Sequence, residues 1–295
     1  MRAEALAIVC VLALGAAEAQ QIADPEADLS VAAPAFRMGA GPRVLIDGAH
    51  HNFHTIDGRY APFAQLLRND GFRVEGSMAP FSDSSLANVD VLVIANALAA
   101  ENVERWQLPT PSAFTVDEIS AVRRFVERGG SLLLIADHMP MAGAAGDLAL
   151  AFGVRFDNGF ALDGDDQPDL FTHENGGLTD DPLLAGIRQV RTFTGSAFSA
   201  PNGRPLLRLD ARYQVLTPEV AWKFSESTPR ISGEGLLQGA VLELGQGRAG
   251  VFGEAAMFTA QVAGLQRVPV GLRARGAEDN KAFALKIMRW LGRAR

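Results

Sequence analysis

The chain has 295 residues, 48% of them hydrophobic and 21% charged, with 30 glycines and 15 prolines. These are the proportions of an ordinary folded protein and exclude a disordered or fibrous one. The formal charge of −7 leaves no basic footprint for nucleic acid and no basic cluster for anionic lipid.

The first residues, "MRAEALAIVCVLALGAAEAQQ", read as a targeting segment. Arg2 gives a minimal positive start, Ala5 to Ala17 a short apolar core, and Ala17-Glu18-Ala19 a small-x-small cleavage pattern. Residues 1–19 are therefore expected to be a signal peptide cut after Ala19, placing the mature protein in a periplasm or outside the cell. The apolar stretch is too short to span a bilayer comfortably, and no transmembrane helix is expected after cleavage. Cys10, the single cysteine, lies inside that core, so the mature chain has no disulfide, thiolate ligand or cysteine nucleophile.

Residues 20–41, rich in Ala, Pro and acids, read as a linker or surface arm. A regular rhythm follows. "RVLID" (43–47) predicts a strand, and "GRYAPFAQLLRNDGF" (58–72) a helix with Tyr60, Phe63, Leu66 and Leu67 on one face. "FRVEG" and "VDVLVIAN" (89–96) predict two more strands. Thr115 and Glu118 form a capping-box pattern for the helix "TVDEISAVRRFVERGG". "SLLLIAD" (131–137) is a buried strand, "GAAGDLALAFG" a small-residue helix. Residues 157–189 break the rhythm as an irregular acidic insertion, and "VRTFTG" (190–195) could return to the sheet. "GAVLELGQGRAGVFGE" (239–254) predicts an antiparallel hairpin, and residues 279–295 a closing amphipathic helix. Apolar strands alternating with amphipathic helices imply α/β architecture with a mainly parallel sheet, residues 42–295 forming a single domain.

In such sheets ligands gather beyond the carboxyl ends of the strands. Four of the five histidines fall there. The first strand is followed by Asp47, His50, His51 and His54, the strand at 131–137 ends in Asp137-His138, and the hairpin ends in Glu254. Neutral imidazoles beside a carboxylate suit a divalent metal, zinc foremost, so Asp47, His50, His51 and His54 are candidate ligands. The alternative is that these histidines cap or pack. His138, Asp137 and Glu254 are candidate catalytic groups, with Asp137 orienting an imidazole and His138 acting as base; capping of nearby turns is the structural alternative for both carboxylates. Asn52, Thr194 and Ser196 are candidate substrate contacts, although "TFTGSAFS" lacks the nucleophile-elbow pattern. Asp163, Asp165, Gln167, Asp169 and Glu174 take positions 1, 3, 5, 7 and 12 of a calcium-loop count, but Pro168 stands where such a loop needs Gly, which favours a solvated acidic loop.

The blocks "FTVDEISAVRRFVERGGSLLLIADH" and "GQGRAGVFGEAAMF", with the strand–helix order, resemble the class I glutamine amidotransferase-like superfamily. More narrowly, they resemble an uncharacterised bacterial domain related to one in gliding-motility and transport-associated proteins. The resemblance covers about residues 42–154 and 236–292. It implies a flavodoxin-like three-layer sandwich around a mainly parallel sheet. Glutaminase members of that superfamily place a cysteine after a central strand; here "SLLLIA" leads into Asp137-His138, and a thiolate mechanism is excluded.

Two functions follow as expectations. One is an exported hydrolase-like enzyme, metal-assisted, acting on a small molecule or cell-envelope fragment. The other is a non-catalytic module whose polar pocket holds a ligand or a protein partner.

Overall fold

The computed structural model describes residues 21–164 and 169–294. The expected signal peptide, with Cys10 and the cleavage point at Ala19, lies outside the described residues, as do Asp165, Gln167 and Pro168 of the calcium-loop count.

In chain order the elements are β1 (Gln21–Ala23), β2 (Arg43–Asp47), α1 (Ala61–Asn69), β3 (Arg73–Ser77), β4 (Val91–Ala95), α2 (Val116–Glu127), β5 (Ser131–Ile135), α3 (Met141–Ala144) and α4 (Gly146–Leu150). The second half is almost all strand. It runs through β6 (Arg155–Leu162), β7 (Leu170–Thr172), β8 (Gln189–Arg191), β9 (Gly195–Ser199), β10 (Arg204–Arg208), β11 (Gln214–Leu216) and β12 (Arg230–Ser232). Then come β13 (Leu237–Leu244), β14 (Gly247–Phe252), β15 (Ala260–Ala263), β16 (Val268–Gly271) and the closing helix α5 (Asn280–Leu291).

The main sheet has 11 strands in the order β12-β11-β6-β9-β13-β14-β5-β4-β2-β3, with β10 also paired to β13. Strands β3, β2, β4, β5 and β14 are mutually parallel. From β14 outward every pairing is antiparallel, starting with the β13–β14 hairpin, where Leu244 faces Gly247.

This corrects the flavodoxin-like three-layer sandwich. The sheet is large and mixed, and among the described residues only five α-helices accompany it, two of them of five residues or fewer. The physical cause is the stretch from β6 to β13. Its 157–189 part reads as an irregular acidic insertion, but the stretch adds β6, β9, β10, β11, β12 and β13 to the sheet with, among the described residues, no helix longer than a 3-10 turn between them.

Where the strands are parallel, helices cover both faces. Val44, Ile46, Val93 and Leu133 pack in one core with Phe63 and Leu67 of α1 and Phe283 and Ile287 of α5. Leu45, Leu92, Ile94 and Leu134 pack in another with Val122, Phe125 and Val126 of α2. The alternation follows from the two-residue period of a strand, and it makes β4 and β5 apolar throughout. Helix α2 begins in the capping box expected of Thr115 and Glu118. Residues 21–41 are tied down: β1 pairs with β15, Arg273 meets Asp24 at 2.6 Å, and Ala35 donates its N–H to buried Asp70 at 2.8 Å. Among the described residues no helix is long and apolar enough to cross a membrane.

Candidate functional site

The carboxyl ends of β2, β4, β5 and β14 bring together most of the residues singled out in the sequence, but in separate groups. The first surrounds His50. Its Nδ1 lies 2.9 Å from Asp47 Oδ2 and its Nε2 2.9 Å from Glu118 Oε1, so both nitrogens donate and the ring is an imidazolium. Burial opposes that charge, but the hydrogen bonds and charges of Asp47 and Glu118 outweigh it and raise the pKa. Phe81 and Phe114 pack at 4.6 and 4.7 Å from the ring. Asn52 is buried beside it, accepting the His50 N–H at 3.1 Å and donating to the Ala95 carbonyl at 3.3 Å.

The second group surrounds His54. Asp137 donates its backbone N–H to Asn96 Oδ1 at 2.8 Å, which fixes the Asn96 amide. Asn96 Nδ2 then donates to Asp137 Oδ2 at 2.8 Å and faces His54 Nδ1 at 3.1 Å. His54 Nδ1 is therefore an acceptor and the ring proton is on Nε2. That nitrogen faces Gln261 Nε2 at 3.3 Å, while Gln261 Oε1 has no partner. A half-turn of the Gln261 amide gives the His54 proton its acceptor. Burial, with the Arg59 charge, pushes His54 down to about 3 and holds it neutral.

Asp137 and Glu254 form the third group. Glu254 is buried and accepts the backbone N–H groups of Ala256 and Met257, each at 2.8 Å, at the start of a 3-10 turn (Ala256–Phe258). Burial, and then the Asp137 charge, pushes its pKa well above the carboxylate range. Asp137 is half-buried as a residue, yet its Oδ1 is enclosed without a partner. Burial pushes it up to about 7, against the hydrogen bonds from Asn96 and the Ala255 backbone. Buried Tyr60 donates to the Ala255 carbonyl at 3.0 Å, and its pKa is raised by burial and then by the charges of Asp137 and Glu254. Two carboxyls that both resist ionisation are the kind of group found at working sites.

His138 has partners of its own. Its Nδ1 donates to the Met139 carbonyl at 2.7 Å, and the ring stacks on Phe160 at 4.5 Å with Trp222 at 4.7 Å. Burial pushes it down to about 4, so it is neutral with its lone pair on Nε2.

The four candidate metal ligands do not converge. His50 and Asp47 are bonded to each other and His50 to Glu118, so neither His50 nitrogen has a lone pair to offer; His54 belongs to the Asn96 group, and His51 is exposed at φ 48°. Among the described residues no three His, Cys, Asp or Glu side chains are grouped to hold a metal ion. Ser196 is fully buried and donates to the Ala136 carbonyl at 2.7 Å, bracing β9 against the end of β5. Gly253 allows this approach, since a Cβ there would collide with the Ser196 carbonyl. Thr194 is half-buried just before β9. Asp169 is buried beside Tyr213 and Thr192, and burial pushes it up to about 7.

Sequence reasoning missed Asn96 and Gln261, and read Glu118 only as a capping-box residue and Tyr60 only as part of a helix face. A signal for Asn96 was its place as the last residue of an apolar strand; it adopts φ 52°, a conformation Asn tolerates better than most residues.

No protein-family model matches the chain, and no curated protein matches its sequence. Solved structures do share its fold. The mmIFT52 N-terminal domain is 14% identical over 84% of this chain and 97% of its own, with a TM-score of 0.60. The cytoplasmic protein STM1381 from Salmonella typhimurium LT2 is 12% identical over 86% and 99%, with a TM-score of 0.51. At these identities the likeness is one of fold alone.

Proposed function

We propose that this protein is an exported hydrolase-like enzyme acting on a small molecule or cell-envelope fragment, with Asp137 as its acid–base group. The observation that carries the reading is the half-buried Asp137 at the end of β5, held by Asn96 through two hydrogen bonds of 2.8 Å, its carboxyl pushed up to about 7 by burial. A group with that pKa exchanges protons most effectively near neutral pH. Ionised, Asp137 would take a proton from water as the oxygen attacks an acyl or phosphoryl centre; protonated, it would return that proton to the departing oxygen or nitrogen. Asn96 positions it through two hydrogen bonds, and neutral His54 positions Asn96. Export rests on the composition of residues 1–19, and the absence of any cysteine after Cys10 removes a thiolate nucleophile.

The test is hydrolysis of p-nitrophenyl acetate, p-nitrophenyl phosphate and an amino-acid p-nitroanilide between pH 5 and 9. Asp137→Asn should lower turnover about a hundredfold or more and remove the limb of the pH profile near 7. Turnover of none of the three, or an unchanged rate in Asp137→Asn, counts against the enzyme.

A second reading, a non-catalytic binding module, is favoured by one observation. A cavity of about 850 Å³ opens between Leu108, Asn158 and the segment from Thr217 to Pro229, and none of Asp137, His138 and Glu254 lines it.

A further inference from the structure

Arg59, the residue before the start of α1's first turn at Tyr60, is half-buried and carries a charge that the fold leaves uncompensated. Its guanidinium carbon lies 3.8 Å from the centroid of the Phe53 ring, and Nη1 donates to the Phe53 carbonyl at 3.2 Å. Its Nε is buried without a partner, and among the described residues Arg59 makes no ion pair. Burial alone acts on its pKa, lowering it. Arg273 and Arg289 show the contrast: each is held by a carboxylate, Asp24 and Asp70 respectively. A guanidinium removed from water is costly unless something pairs with it, and Nη2, which is neither bonded nor enclosed, is left to meet an oxygen of a carboxylate or phosphate.

The surroundings supply a second element of recognition. Phe53 lies 5.3 Å from Trp106, Trp106 5.8 Å from His138, and His138 4.7 Å from Trp222. Phe53, Trp106 and Trp222 are all partly exposed, so a run of rings leads from Arg59 past the residue that follows Asp137. Arg59 is also close enough to His54 for its charge to be felt there, and His54 is joined through Asn96 to Asp137.

We propose that Arg59, stacked on Phe53, is an anion-binding subsite beside Asp137, and that its ligand carries a carboxylate or phosphate next to a flat apolar part lying on the Phe53–Trp106 rings. This names the substrate class for the Asp137 centre and in that respect rests on the hydrolase reading; anion binding itself can be measured separately.

The probes are phenyl phosphate and benzoate, with benzyl alcohol as the neutral control, titrated into the full chain by calorimetry. One or both anions should bind saturably and more weakly as salt is added, whereas benzyl alcohol should not bind measurably. Arg59→Gln should weaken anion binding about tenfold or more, and Arg59→Lys should fall between. Phe53→Leu, which leaves the charge and removes the ring, should also weaken it, and circular dichroism checks that each variant folds. The proposal is overturned if neither anion binds the unaltered chain, or if Arg59→Gln binds as tightly as it does. Asp137→Asn separates the two claims. Anion binding lost in Arg59→Gln while Asp137→Asn still hydrolyses would remove the reaction centre and leave the subsite standing. Hydrolysis lost in Asp137→Asn while Arg59→Gln binds normally would do the reverse.

Discussion

Replacing Glu118 by Gln removes the charge to which three segments are tied. Glu118 Oε1 accepts from His50 at 2.9 Å and from the Phe81 backbone at 3.1 Å, while Oε2 accepts from the Thr115 backbone and hydroxyl at 3.0 and 2.8 Å. Burial by itself would raise the Glu118 pKa; the bonds from Thr115, His50 and Phe81 override it and bring 4.5 down to about 2. A shift of that size corresponds to roughly 3 kcal/mol. The folded value lies below the unfolded one, so this stability is present above pH 4.5 and lost as pH falls towards 2. Urea unfolding should therefore show Glu118→Gln less stable by about 2–3 kcal/mol at pH 7, with the gap narrowing by pH 3. His50 has a raised pKa, so its own contribution is present below its ordinary value of 6.5 and lost as pH rises through the folded value. Removing one of its two carboxylates should lower the His50 pKa seen by proton NMR. A loss under about 1 kcal/mol at pH 7, or a gap that does not change with pH, would refute the reasoning.

Asp137 carries the opposite sign: its folded pKa is raised, so its contribution is full below 3.8 and lost as pH rises through about 7. Asp137→Asn should accordingly be more stable than the parent at pH 8, by about 2–4 kcal/mol, with the gain shrinking towards pH 4; a variant less stable at pH 8 would contradict this. Ser196→Ala loses a buried hydrogen bond and should cost about 1 kcal/mol in urea unfolding without altering KM; a changed KM would place Ser196 at the substrate. Asp70→Asn weakens the pairing with Arg289 and should cost about 3 kcal/mol, with faster tryptic cleavage after Arg37. Cleavage at the parent rate would mean that the 21–41 arm is held elsewhere.

What could be read in the sequence was whatever repeats along the chain. β2, β4 and β5 are apolar runs, and the hairpin has a Gly-Gln-Gly turn. The antiparallel half gave no such signal. β7, β8, β11 and β12 are three residues long, too short to show a period, and all three residues of β12 are exposed. The same limit applies to the site. Histidines and carboxylates at strand ends announce themselves, but their partners do not. Gln261 and Glu118 are 207 and 68 residues away from the histidines they meet. Glu118 was legible only as a capping-box residue, because its second role depends on a loop brought over α2 by the sheet.

The histidines also show why neighbours in sequence need not share a site. His51, between them in the chain, adopts φ 48°, and the rings of His50 and His54 find different packing partners. His50 packs on Phe81 and Phe114 of the core under α2, whereas His54 packs on Tyr60 of the core under α1 and α5. Each environment then sets the protonation state of its ring. Two carboxylates make His50 a cation that fastens loops, whereas burial and the Arg59 charge, with no carboxylate bonded to the ring, keep His54 neutral. Only the neutral one reaches Asp137, through Asn96. A cationic imidazole there would hold the Asp137 carboxyl ionised; the neutral one leaves burial free to raise it into the range where a proton can be both taken and returned.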